Sequence, residues 1–344
     1  PILQGLLLAP RGITATDLET AVTVLIDLPI EGSIVIDAKG LGRVLRGFKG
    51  RGLDVILVVD GLSLTIMVPG RGTVTLNAVS CVEEFPIVER IAEGVAGRPH
   101  LLVDRESLLL GLERTMPCAT KDATRFQMNS VLIDVLDGSV KLVSTDGKRM
   151  GVTTLGAQSV KAAGGLEPGQ RIVSMRGADI LARALKDMKM RGGVRVELTD
   201  HELKFSDPGQ IEIVTSLVEG RYPEYVRALP TNTTDLFRAN TAQLQGAVET
   251  ARMATTKATN SVSLKFSGGT LVVTGGVGGT SASAAIAGVG DGDLAICFNP
   301  DYLVDLCKGI QSEEIELRFV DRKTAGLFVS ADDLSFQQII MPLV

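Results

Sequence analysis

Apolar residues along this chain keep two rhythms. Short apolar or alternating runs bounded by Gly and Pro predict strands at 6–8, 21–28, 33–37, 54–60, 62–69 and 72–79. Over 38–50 the rhythm changes. Leu41, Val44, Leu45 and Phe48 recur at helical spacing, while Lys39, Arg43, Arg46 and Lys49 take the opposite face. The same alternation follows further on. A strand at 101–103 leads through Asp104, a capping residue, into a helix with Leu108, Leu109, Leu112 and Met116 on one side. Strands at 130–136, 140–144, 151–155 and 171–174 precede a second helix over 176–190, and strands at 194–198, 202–206 and 210–217 follow it. The last third reads likewise. A strand at 235–239 leads to a helix with Leu244, Val248, Ala251 and Met253, then to strands at 261–266 and 269–274. A helix capped by Asn299-Pro300 follows, and strands at 314–320, 326–330 and 335–341 close the chain.

These elements repeat. Thr16, Thr145 and Thr274 each follow an apolar strand and stand 129 residues apart, twice over. Equal spacing of a strand-end threonine predicts three copies of one α+β domain, at 1–98, 99–232 and 233–344. In the second and third copies a strand and a helix open ahead of that threonine. Only 15 residues precede Thr16, so the first copy is expected to be N-terminally incomplete. An aromatic–proline pair, Phe85-Pro86 and then Tyr222-Pro223, marks the connectors between copies.

Composition narrows the chemistry. A chain of 344 residues suits two or three domains, and with no Trp its cores must be filled by Val, Leu, Ile and Ala. No run of about 18 apolar residues exists, so no membrane-spanning helix is expected. Cys81, Cys118, Cys297 and Cys307 are scattered and fit reduced thiols in a cytoplasmic protein. His100 and His201 lack His or Cys neighbours at ligand spacing, so no metal or cofactor is expected.

Charge is segregated. The net charge is −5, yet Lys39, Arg43, Arg46, Lys49 and Arg51 cluster with no acid among them. The 176–191 helix carries Arg176, Arg183, Lys186, Lys189 and Arg191 against Asp179 and Asp187, and a mixed helix is expected near Arg114, Lys121 and Arg125. Basic stripes on an acidic protein suit diffuse phosphate contact, and no aromatic residues lie among them to stack on single strands. Enzyme signatures are missing. Gly275-Gly276-Val277-Gly278-Gly279 opens no helix and reads as a floppy hairpin, and no GxSxG or HExxH occurs. Asp146 and Lys148 form the nearest thing to an acid–base pair, but Thr-Asp-Gly after a strand is turn chemistry, with Asp bonding its own backbone. An enzyme on a repeated scaffold and a monomeric DNA-binding module stand as the alternatives.

Several segments, in order, resemble one family. They are Pro1-Ile2-Leu3 through Thr16-Asp17-Leu18-Glu19, Thr145-Asp146-Gly147-Lys148-Arg149-Met150, Leu217-Val218-Glu219-Gly220-Arg221-Tyr222-Pro223-Glu224-Tyr225, Phe298-Asn299-Pro300-Asp301-Tyr302 and Ile339-Ile340-Met341-Pro342-Leu343. The chain is similar in these to the bacterial DNA polymerase III beta subunits, the sliding clamps. The resemblance implies a head-to-tail homodimer ring of six domains, with helices lining the hole and sheets outside. Duplex DNA would thread the ring, past Lys39, Arg43, Arg46, Lys49, Arg51, Lys121, Arg125, Arg176, Arg183, Lys186, Lys189 and Arg191. It also implies a cleft that docks short apolar peptides of the polymerase III alpha subunit, the clamp loader and repair proteins. Its residues would be Met128, Thr145, Gly147, Arg149, Met150, Pro223, Arg227, Ala228, Asn299, Tyr302, Ile339, Met341, Pro342 and Leu343. Lys148 stands where the family commonly has histidine. Ring closure would set Val74 and Leu76 of one chain against Met253 and Ala254 of the other. Of the three copies only the middle one keeps Gly-Lys-Arg-Met after Thr-Asp, as one docking cleft per chain requires.

Overall fold

The computed structural model describes residues 2–48, 53–86, 99–163, 166–187, 193–230, 233, 235–290 and 293–343. The first stretch forms β1 (Gly5–Ala9), β2 (Gly12–Thr16), β3 (Thr20–Leu25), β4 (Ile34–Asp37), α1 (Ala38–Gly47), β5 (Ile56–Asp60), β6 (Ser63–Val68) and β7 (Gly72–Asn77). The second forms β8 (His100–Asp104), α2 (Arg105–Thr115), β9 (Ser130–Leu136), β10 (Ser139–Thr145), β11 (Arg149–Leu155), β12 (Val160–Ala163), β13 (Gly169–Ser174), α3 (Met175–Asp187), β14 (Gly193–Leu198), β15 (Glu202–Asp207) and β16 (Ile211–Ser216). The third forms β17 (Asp235–Asn240), α4 (Thr241–Arg252), β18 (Val262–Ser267), β19 (Thr270–Val277), β20 (Thr280–Gly290), β21 (Leu294–Phe298), α5 (Pro300–Gly309), β22 (Glu314–Phe319), β23 (Gly326–Ser330) and β24 (Phe336–Ile340).

Local chemistry sets the helix starts. Asp37 accepts from the Gly40 N–H, Asp104 from Ser107, Asn240 from Gln243 and Asn299 from Asp301. Each satisfies a backbone donor that the first turn leaves unpaired.

The strands repeat one frame. Their order is β4-β1-β2-β3, then β13-β9-β10-β11, then β21-β18-β19-β20, with the last strand of each set built before the second helix. A single backbone bond recurs with it. Val79 N–H donates to the Val35 carbonyl at 2.9 Å, Val218 to Ile172 at 2.8 Å and Leu343 to Cys297 at 2.8 Å. By compactness the chain forms two units, one of residues 1–102, 162–166 and 190–217, the other of 103–161, 167–189 and 218–344. In the first unit β16 pairs with β3, and in the second β24 pairs with β11. The first unit packs Leu8, Ile34, Ile36, Leu41, Leu64 and Ile66. The second holds two clusters, one around Leu244, Val248, Phe298, Phe319 and Phe328, the other around Met150, Val152, Tyr222 and Leu327.

The structure departs from the sequence reading in places. Thr274 is not a strand end. β19 runs on through Gly275 and Gly276 to Val277, because both glycines stay paired with β20. The Gly-rich run is a tight turn, not a floppy one: Gly278 and Gly279 both have positive φ, 57° and 88°, as a two-residue type I′ hairpin requires. At Gly275 a Cβ would stand 2.1 Å from the Ala251 carbonyl oxygen, so glycine lets α4 lie against the strand. Lys121 and Arg125 lie in the irregular segment after α2 rather than on a helix.

Candidate functional site

The turn at 145–149 is built by its own side chains. Thr145 Oγ1 donates to the Arg149 carbonyl at 2.7 Å and accepts from the Gly147 N–H at 3.1 Å. Asp146 Oδ1 accepts from the N–H groups of Lys148, at 2.8 Å, and Arg149, at 2.9 Å. Asp146 therefore does turn work, as its place after a strand predicts. Gly147 has φ 87°, and a Cβ there would reach Met128 Cε at 3.4 Å.

Arg149 is the hub. It is buried, yet its guanidinium bonds Asp146 at 3.3 Å, Asp305 at 2.8 Å and the Pro117 carbonyl, and lies over the Tyr302 ring at 4.2 Å. The turn, the segment after α2 and the α5 helix are tied through one side chain. Sequence reasoning placed Arg149 at the rim and missed Pro117 and Asp305, whose sequence distance from it hides them.

Strand pairing completes the surface. Met150 faces Ile339, and the Met341 N–H donates to the Lys148 carbonyl at 2.8 Å. Met150 is 5% exposed and Ile339 4%, so they form a floor beneath Tyr222 and Tyr225. Tyr225 donates to Asp134 at 2.6 Å, and burial pushes both tyrosine hydroxyls up. Met341 and Leu343 are exposed, Pro342 is buried, and Pro223, Arg227 and Ala228 are exposed on the connector, where Arg227 bonds Glu224. Asn299 caps α5 one turn before Tyr302. All fourteen residues fall in the second compact unit. Beside them lies a cleft of about 670 Å³ whose wall includes Lys121, Lys148, Arg149, Arg252, Tyr302 and Asp305. The cleft itself is walled mainly by charged residues, so apolar contact with a short peptide would come from the exposed Met341 and Leu343, while the charged groups would orient it.

The basic residues divide. Lys39, Arg43 and Arg46 form an exposed stripe on α1. On α3, Arg176, Arg183 and Lys186 are exposed, but Arg183 pairs with Asp179 at 2.8 Å and Lys186 approaches Glu113 at 3.5 Å. The equivalent α5 carries Asp301 and Asp305 beside Lys308, so the basic stripe does not recur there. Lys121 and Arg125 are exposed. Lys49, Arg51, Lys189 and Arg191 lie outside the described residues. Arg114, which reads as a surface charge, is buried and bonds Asp333, Ser335 and the Gly309 carbonyl.

At the expected ring contact, β7 is the outer strand of a three-stranded sheet with β5 and β6. Val74 and Leu76 are half-buried on its inward face. Met253 is 81% exposed, whereas Ala254 is 4% exposed. Ala254 thus presents no side chain to a partner, because the turn after α4 folds it inward. Among the described residues no three His, Cys, Asp or Glu side chains gather as a metal set, and no helix is long and apolar enough to cross a membrane.

Known proteins resemble this chain over its length. Models of the DNA polymerase III beta subunit match the chain, the central domain over residues 103–224 and the C-terminal domain over 226–344. The beta sliding clamp of Pseudomonas aeruginosa is 26% identical over 353 residues, spanning 100% of this chain and 92% of that protein. That of Caulobacter vibrioides is 26% identical over 363 residues, with 100% and 92% covered. Among solved structures, a Pseudomonas aeruginosa DNA polymerase sliding clamp with ligand superposes with a TM-score of 0.89 at 24% identity, covering 100% of this chain and 93% of that one. The DNA polymerase III beta subunit of Thermotoga maritima superposes at 0.87 and 22% identity, covering 100% and 92%.

Proposed function

The chain belongs to the DNA polymerase III beta subunit family, and on that premise we propose that it is a sliding clamp, an accessory protein without chemistry of its own. Two copies close head to tail around duplex DNA as a ring of repeated domains, 1–98, 99–232 and 233–344 in each chain. It works in the cytoplasm at the nucleoid. The ring tethers the polymerase III alpha subunit and other partners through the cleft at Arg149, Met150 and Met341, and a clamp loader sets it on DNA.

The observation that carries this reading is the repeated frame and the edges it leaves. β16 extends the sheet of β3, and β24 extends the sheet of β11. By the same rule β7, unpaired on its outer edge among the described residues, would extend β20 of a second chain along residues 280–287, since 288–290 already pair with β17. Two such head-to-tail junctions would close a ring of two chains. Val74, Leu76 and Met253 stand near those edges. The α1 stripe and the exposed basic residues of α3 would face the duplex and contact phosphates without reading bases, so the ring can slide.

Retention on DNA after treatment with a clamp loader is the test. A clamp stays on nicked circular DNA in high salt and leaves when the circle is cut. A monomeric DNA-binding module would instead hold linear DNA with a steep salt dependence. Equal retention on circle and line would overturn the clamp reading.

A further inference from the structure

The turn at 145–149 has a twin. In the turn at 16–20, Thr16 Oγ1 donates to the Thr20 carbonyl and accepts from Leu18 N–H, and Asp17 Oδ1 accepts from the N–H groups of Glu19 and Thr20. These are the four bonds of the later turn, in the same order. The strand seams behind the two turns also match pair by pair. Thr16 faces Ala21 as Thr145 faces Met150. Ala21 faces Val214 as Met150 faces Ile339. Val214 faces Lys204 as Ile339 faces Leu327. Thr23 faces Glu212 as Val152 faces Gln337. Even the rim bond recurs, Ser216 N–H to the Glu19 carbonyl at 2.9 Å in place of Met341 to Lys148 at 2.8 Å.

The backbone is duplicated, but the side chains are not. Where the β11–β24 seam has Met150, Val152 and Leu327, the β3–β16 seam has Ala21, Thr23 and Lys204. Lys204 Nζ lies 3.0 Å from Glu212 Oε1, and the two side chains are only 6% and 12% exposed. Thr14 and Thr23 bond each other at 3.0 Å alongside. At the tip Leu18, 58% exposed, takes the position of Gly147.

We infer that the β3–β16 seam is a second copy of the docking face, shut to apolar peptides by its side chains alone, with Lys204 and Glu212 as the residues that shut it. This rests on the reading of the β11–β24 seam as the docking cleft. An apolar anchor entering the first seam would have to lie on a buried ion pair and hydroxyls whose bonds it cannot replace. Leu18 adds a branched side chain where the second turn is bare. Over these turns and strands the two seams differ in side chains and not in backbone pairing.

The test is stoichiometry in the full chain. A fluorescein-labelled synthetic peptide of leucine, phenylalanine and glutamine is titrated by anisotropy against three proteins: wild type, a graft of Leu18→Gly, Ala21→Met, Thr23→Val, Lys204→Leu and Glu212→Gln, and the reverse transplant Leu327→Lys with Gln337→Glu. Circular dichroism and a cooperative unfolding transition establish that each is folded. One peptide per wild-type chain and two per grafted chain are expected, and binding at least tenfold weaker in the reverse transplant. A folded graft that still binds one peptide overturns the inference alone. So does a folded reverse transplant that binds within twofold of wild type, and this arm decides if the graft does not fold. A wild-type chain that binds no peptide overturns the docking reading and the inference with it.

Discussion

The guanidinium carbon of Arg149 lies 4.2 Å from the centroid of the Tyr302 ring, joining β11 to α5 across 153 positions of sequence. The same group holds Asp146 and Asp305. Arg149→Ala takes the guanidinium from Asp305 and from Asp146 Oδ2 and removes the stack, while Asp146 Oδ1 keeps its two backbone bonds. Breaking a buried charged network in this way costs about 3 kcal/mol. Urea unfolding is expected to show a lower midpoint with an unchanged slope. Arg149→Lys recovers less than half, since an ammonium cannot span both carboxylates and stack. Full recovery by lysine would mean that charge alone matters here.

Leu18 and Gly147 occupy the same left-handed position, with φ 82° and 87°, in two copies of one turn. A leucine is strained there, and glycine is not, although glycine gives back part of the gain through a freer unfolded chain. Leu18→Gly is expected to raise stability by about 0.5–1 kcal/mol by denaturant titration, net of these two effects. Gly147→Leu goes the other way by about 1 kcal/mol or more. Opposite signs are the content of the prediction, and a loss at both positions would contradict it.

How far the sequence reveals this is uneven, for physical reasons. The Thr-Asp turns are legible because their bonds are local, within four residues. Thr274 shares the spacing but not the bonds: without Asp after it, the strand continues. β20 was invisible because Thr280-Ser281-Ala282-Ser283-Ala284-Ala285 has weak strand propensity, and eight pairings with β19 decide its form. The capped helices were legible from Asp104 and Asn299. The partners of Arg149 at Pro117 and Asp305, the burial of Arg114 and the Lys204–Glu212 pair are not. An isolated charge in an amphipathic strand or helix reads as a solvent face, and only the fold brings a distant partner to it.

Met253→Asp tests ring closure at an exposed position. Folding is expected to be unaffected, within about 0.5 kcal/mol, since surface substitutions seldom exceed that. Sedimentation at micromolar concentration is expected to shift from dimer to monomer. A dimer that survives the substitution at wild-type strength would place closure elsewhere.

Glu316 sits between Arg238 and Arg318. Burial weighs against its charge, but hydrogen bonds from Arg318 and Arg238, and their charges, outweigh it and hold the carboxyl below its ordinary value. A folded-state value below the unfolded one stabilises above about pH 4.3, and the gain is lost as pH falls through the folded value. Glu316→Gln should therefore melt below wild type at pH 7, with the gap closing in acid. A gap that stays constant down to the acid transition would assign the stabilisation to something other than charge.

Burial pushes the Cys118 and Cys307 thiols up to about 12, while Cys81 is exposed. Thiolate is the reactive form. Native protein treated with iodoacetamide at pH 8 is expected to carry label at Cys81, with Cys118 and Cys307 modified only after unfolding. Peptide mass spectrometry reads the order, and early label at Cys118 would show that the wall behind Arg149 opens.

The contrast between the two seams also bears on temperature. Apolar burial of the kind that Met150 and Leu327 make weakens on cooling. The desolvation penalty on an ion pair such as Lys204–Glu212 falls on warming. The two joints differ in chemistry but not in direction: both hold least well in the cold, one because apolar burial weakens there and the other because its desolvation penalty is larger there.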